Sequence, residues 1–174
     1  MEVNLSKWYV LNTGLIITHP FLNQLFNKLQ YLNIEGKFKY DDLKYRAVYL
    51  LHYLATESND ETIEESYLAI PKVLCGMEIH EPVPYYIKLY NEEKEIAEEL
   101  LTVILNNWNK LEQTSTEELR NTFLIRDGLL QKQEGAYQLT VQSSGYDILL
   151  DLLPWHINII KLAWLYNIIY VSWR

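Results

Sequence analysis

The chain has 174 residues, 49% hydrophobic and 22% charged, a balance that excludes disorder and fits a globular protein. That length suits a single domain, residues 1–174, which buries roughly 70% of its unfolded surface without needing disulfides or a metal. With 15 Lys and Arg against 23 Asp and Glu, the net charge of −8 is a poor match for nucleic acid or an anionic membrane, and one cysteine, Cys75, excludes an internal disulfide.

Residues 1–7 lack a basic region followed by an apolar core, so no signal peptide is visible. Trp8–Leu11 and Leu15–Ile17 flank Asn12-Thr13-Gly14, and read either as two short strands or as an irregular entry to a helix. His19-Pro20 opens that helix, because proline suits the first helical position. Phe21, Leu22, Leu25, Phe26 and Leu29 follow at helical spacing.

A second helix is expected over 41–55, with Asp41 and Asp42 at its positive end and Leu43, Ala47, Leu50, Leu51 and Leu54 as its buried stripe. Residues 58–61 read as a polar surface loop, and 71–75 as a short helix stopped by Gly76. Glu81-Pro82-Val83-Pro84 forces an extended connection. The clearest helix spans 91–108, where Ile96, Ala97, Leu100, Leu101, Ile104, Leu105 and Trp108 share one face. Glu92, Glu93, Glu95, Glu98 and Glu99 crowd its start and read as a solvated face, with an acidic docking surface as the alternative.

Ser115 through Glu118 form a capping box that opens a helix running to about Arg126. A hairpin follows at 129–142, turning near Glu134-Gly135, then a short helix or strand at 146–153 and a closing strand at 168–173. The expected architecture is mainly α (α+β), a compact multi-helix domain with a small β-hairpin and a C-terminal strand.

Candidate chemistry is sparse. His19, His52, His80 and His156 are scattered, and Cys75 with His80 has no second pair at zinc-ligand spacing. Asp147 and Asp151, four residues apart, would share one face of an α-helix. No nucleophile motif or phosphate loop is present, so no catalytic residue, cofactor or metal is expected. The helix from 115 and its hairpin have the order of a winged-helix unit, but Arg120, Arg126 and Lys132 make no basic stripe. Trp155, Trp164, Tyr166, Tyr170 and Trp173 crowd the C-terminal end, and Trp155, Trp164, Tyr166 and Trp173 are the candidate anchors of a protein interface.

The string Asn12-Thr13-Gly14-Leu15-Ile16-Ile17-Thr18-His19-Pro20-Phe21-Leu22 resembles the opening of the conserved region of contractile injection system tape measure proteins. Later stretches are similar to that family's successive blocks, in order: Arg46–Thr56, Lys72–Met77, Thr114–Leu130, Asp147–Trp155, Ile160–Trp164 and the terminal Trp173. Ala163 stands where the family has proline, and Thr13 where alanine is usual.

The resemblance implies a non-enzymatic structural or assembly component of a phage-tail-like contractile particle. Its partners would be inner tube, baseplate or cap proteins, or further copies of itself, with no nucleic acid and no direct membrane contact. It would be made in the bacterial cytoplasm and end in the lumen or at one end of the tube. Even a fully helical chain of this length reaches only about 260 Å at about 1.5 Å per residue, and its loops and hairpin forbid that extension. An anchor at one tube end is therefore expected, rather than a ruler.

Overall fold

The computed structural model describes residues 6–108, 111 and 113–174, so the reading of the N-terminus as free of a signal peptide lies largely outside the described residues. The expected helices form where the apolar periodicity is cleanest. Helix α1 (His19–Lys28) has Pro20 in its first turn and buries Leu22, Leu25 and Phe26. Helix α2 (Asp41–Thr56) starts on two aspartates and ends where Glu57 turns left-handed at φ 60°. Helix α3 spans Glu65–Leu74 and α4 spans Asn91–Asn107. At the start of α4, Glu93 accepts the backbone N–H of Tyr90 at 2.7 Å.

The region around residue 71 differs from expectation. Proline does not open α3 but sits inside it, seven residues along. Proline there removes one helical hydrogen bond. The run from Leu68 through Leu74 is buried throughout, and that burial holds the turn together. The helix expected from Thr116 to about Arg126 is only four residues of α-helix, α5 (Thr116–Leu119), before a π-helical turn at Arg120–Leu124. The Ser115–Glu118 capping box is present, with the Glu118 amide donating to Ser115 Oγ at 3.1 Å.

Among the described residues five strands form one sheet, two more than the expected hairpin and closing strand supply. β1 (Lys7–Val10), β2 (Gly128–Gln133), β3 (Ala136–Val141), β4 (Ile159–Ile160) and β5 (Ile168–Ser172) lie in the order β1-β2-β3-β5-β4. The β2–β3 pair is the expected hairpin. β5 pairs parallel to β3, with Leu139 opposite Val171. β1 is antiparallel to β2, so β1 and β5 run in the same direction.

One sheet face carries Leu130, Leu139, Tyr137, Ile169 and Ile160 into the core. The other keeps Thr140, Tyr170 and Ile159 exposed. This is the period-two alternation of a half-solvated sheet. The helical side of the core is built from α2, α3 and α4 around Tyr49, Leu50, Leu51, Leu54, Leu101 and Ile104.

The entry segment resolves into β1 followed by a buried 3-10 helix at Thr13–Thr18. That helix lies against the π-turn backbone so closely that a Cβ on Gly14 would stand 1.7 Å from the Phe123 carbonyl oxygen. The segment 146–153 is also a 3-10 helix, Gly145–Leu152, and this corrects the pairing of its two aspartates. At about three residues per turn, positions four apart point about 120° away from each other. Asp147 is accordingly buried, while Asp151 is exposed.

Candidate functional site

The glutamates of α4 are not simply a solvated face. Glu93 is buried and receives Arg46 Nε at 2.9 Å and Arg46 Nη2 at 2.6 Å, together with the Tyr31 hydroxyl. Burial pushes the Glu93 carboxyl pKa up, but the bonds from Arg46, Tyr31 and the Tyr90 amide outweigh it and hold it below the ordinary value. Glu98 pairs with buried Arg120, and Glu99 with Lys28 at 2.6 Å. Three of the five carboxylates therefore tie α4 to α1, α2 and the π-turn, and the tract is mostly spoken for.

The candidate anchors separate into core and surface. Trp164 is buried; its indole N–H donates to the Leu74 carbonyl at 2.8 Å, and its ring packs on Phe26 and Phe38 at 5.4 and 5.6 Å. Trp173 is buried too, with the Arg126 guanidinium 5.5 Å from its ring centre. Trp155 is half-buried, edge-on to Phe21 at 5.1 Å, and donates to the Ile17 carbonyl at 3.0 Å. Tyr166 is 85% exposed. Of the four, only Tyr166 presents its side chain outward. The others hold the C-terminal segment across α1, α3 and the 3-10 entry.

A second exposed residue stands on a loop that contacts the Tyr166 loop. Asn33 closes a tight loop by accepting the Glu35 and Lys37 amides at 2.9 and 3.0 Å, which leaves Ile34 fully outside. This loop is tied to the Tyr166 loop in two ways. Phe38 packs edge-on to Trp164, and Lys37 Nζ lies 6.0 Å from the Tyr166 ring centre. The two loops, one carrying Ile34 and the other Tyr166, are therefore braced against each other. Sequence reasoning did not pick out Ile34. Its signal was an isoleucine alone among Asn33, Glu35, Gly36 and Lys37, where an apolar residue has no helix or strand to serve.

Near the C-terminus, a concavity of about 260 Å³ is lined by Leu153, Trp155, Ile157, Val171, Trp173 and Arg174. A second concavity shares Val171, Trp173 and Arg174 and is lined also by Asp147, which takes Arg126 Nη2 at 2.6 Å and the Ser144 amide at 2.8 Å. Arg126 also donates to the carbonyls of Thr122 and Gln142. Burial raises the Asp147 pKa, but Arg126 and the Ser144 amide outweigh that and hold it low.

Both arginines of the candidate recognition helix, Arg120 and Arg126, are thus buried and engaged inside the protein. They are not presented to a phosphate backbone. Among the described residues, no three His, Cys, Asp or Glu converge to hold a metal ion, and no helix is long and apolar enough to cross a membrane. Burial pushes the Cys75 thiol pKa far above its ordinary value.

A family model described as contractile injection system tape measure protein matches residues 2–173. No curated protein and no solved structure matches the chain.

Proposed function

We propose that this chain, which belongs to the contractile injection system tape measure protein family, is a non-enzymatic anchoring module of a contractile particle. In this reading it is assembled in the bacterial cytoplasm and seated at one end of the inner tube. The observation that carries the reading is a family match across nearly the whole chain combined with a folded, not extended, form. Among the described residues the longest helix, α4, has 17 residues and spans only about 25 Å. Such a stretch holds a position better than it measures a length.

The attachment surface in this reading is the braced pair Ile34 and Tyr166. Both are large and exposed, on loops held by the Phe26–Phe38–Trp164 ring cluster, in which Phe26 and Trp164 are buried. A rigid aromatic anchor limits the entropy lost on binding. The partner is a tube, baseplate or cap protein, or a second copy of the chain.

The test is complementation in a producing strain whose copy of this gene is deleted. Wild-type protein should restore full-length particles counted by electron microscopy. Ile34→Ser with Tyr166→Ser should melt like wild type yet fail to restore them. Normal particle number and length in the deletion strain would overturn the reading.

A further inference from the structure

One face of the sheet stays in solvent. Alternation along the strands sends Leu130, Leu139 and Ile169 into the core and their neighbours out. The registers set the outward residues in rows across the strands. The central row runs Lys7, Gln131, Gln138, Tyr170 and Ile159, and the next runs Tyr9, Leu129, Thr140 and Ser172. Tyr9 is 88% exposed, Ile159 50% and Tyr170 40%.

The charge of the chain is kept off this face. The net charge is −8, yet no residue of the five described strands is Asp or Glu. Lys132 turns inward to Glu78 at 2.5 Å, which leaves Lys7 as the outward cation of these strands. Glutamines and hydroxyls supply most of the remaining polarity, and Gln138 Nε2 donates to Ser172 Oγ at 3.3 Å.

We propose that this face is a self-association surface, on which a second copy of the chain stacks its own sheet face to face. Two chains of −8 repel each other, and here they meet without opposing or burying a carboxylate. The side chains of Gln131, Gln138, Thr140 and Ser172 each donate and accept, so the face can pair with a copy of itself. An anionic partner would need a set of cations, and a cationic one a set of carboxylates. Lys7 is also provided for. A two-fold axis along the strands carries it to the β5 side of the other copy, where Tyr170 stands. An axis across the strands keeps it over β1, where Tyr9 stands, so a ring faces the cation either way. Five strands about 4.8 Å apart and about five residues long cover roughly 400 Å² in plan. A standard interface takes about 800 Å² from each partner, so the pairing is weak and concentration-dependent. This inference rests on neither the anchoring role nor the family match.

The test is sedimentation equilibrium of the intact chain from about 10 μM to about 1 mM. The wild type should show a reversible monomer–dimer equilibrium in that range. Gln138 lies in the central row of the central strand, so in a two-fold stack its substitutes come close together. Gln138→Glu and Gln138→Lys should each weaken the dimer about tenfold or more at unchanged melting temperature. An equimolar mixture of the two should recover association to within about threefold of wild type, because the new charges now attract. Asn106→Glu, the same charge change on the exposed side of α4, should leave it within about twofold. A wild type monomeric at about 1 mM, a Gln138→Glu chain that dimerises like wild type, or a mixture that fails to recover would each overturn the inference. Ile34→Ser with Tyr166→Ser should leave the dimer intact. Its loss in that variant would also overturn the inference, while leaving the anchoring reading standing.

Discussion

Arg126 and Asp147 form a fork-to-fork ion pair inside the protein, with Nη2 2.6 Å from Oδ1 and both side chains at least nine-tenths buried. The pair ties the end of the π-turn to the 3-10 helix Gly145–Leu152 under the ring of Trp173. Removing one member strands the other in the interior. Asp147→Ala should therefore cost about 3–5 kcal/mol, a melting temperature lower by about 6–20 °C for a chain of this size. Arg126→Lys should also destabilise, because an ammonium cannot serve Asp147, Thr122 and Gln142 together. Thermal melts followed by circular dichroism check both, and an Asp147→Ala melt within 2 °C of wild type contradicts the assignment.

The four C-terminal aromatics should divide by burial. Trp164→Ala and Trp173→Ala each empty a packed site, and about 3–5 kcal/mol of stability should be lost. Tyr166→Ala touches no core and should change stability by less than about 0.5 kcal/mol. If Tyr166 is an interface anchor, its loss costs about 2 kcal/mol or more of partner binding. Melting temperature and size-exclusion mass of the three variants separate these outcomes.

Acid should unfold the protein in two stages. Burial lowers the pKa of His52 and His19 below the imidazole value of 6.5, against opposing pulls from the Ser58 and His156 carbonyls. As pH falls past about 6.5 the unfolded chain takes up these protons first, so stability declines. Asp147, Glu93 and Glu78 have lowered pKa values, and below about pH 4.5 the unfolded carboxylates likewise protonate first. The melting temperature should fall gently from pH 7 to 5 and steeply below. A value that rises between pH 7 and 5 would contradict the histidine part.

Gly14 and Gly145 make a matched pair of tests. A methyl group at Gly14 would overlap the Phe123 carbonyl, a backbone atom that cannot move aside alone. Gly14→Ala should cost several kcal/mol or prevent folding, as overpacking does when nothing can yield. At Gly145 a Cβ meets nothing within 4 Å. Gly145→Ala should melt within a few degrees of wild type, as measured in the same scan.

Cys75 should resist thiol reagents in the native protein. It is fully buried, and burial disfavours the thiolate that reacts. Its modification by a disulfide exchange reagent should follow global unfolding in urea, and stoichiometric reaction without denaturant would show that the site opens.

Periodicity alone located α1, α2, α4 and the β2–β3 hairpin, because in each the buried residues recur at the element's own spacing. It left β1 undecided between a strand and an irregular entry, and it could not find β4. Both are short, and their pairing depends on strands more than a hundred residues away or on a two-residue match to β5. Pro71 concealed the first turns of α3, since tertiary burial overrode its local preference. The π-turn after Leu119 and the 3-10 helix at 145–152 have no distinctive pattern, and α-helical spacing sets Asp147 and Asp151 on one face where only Asp147 turns inward. The aromatic residues posed a different problem. Tryptophan at an interface and tryptophan in a core read alike in sequence, and only the partners of Trp164 and Trp173 assign them to the interior.

The shared direction of β1 and β5 has a mechanical consequence. Lys7 stands level with Tyr170, and Tyr9 with Ser172, across the two strands between them. Tension applied between Ser6 and Arg174 would draw β1 backwards along β2 while drawing β5 forwards along β3. The four residue pairs of the first ladder and the five of the second would then bear load together, in shear. Hydrogen bonds lying across the direction of pull must fail as a group instead of opening one after another like a zip. The sheet is thus a clasp for force along the chain, and pulled from those two points it should yield abruptly, at a single high force, before the helices unwind.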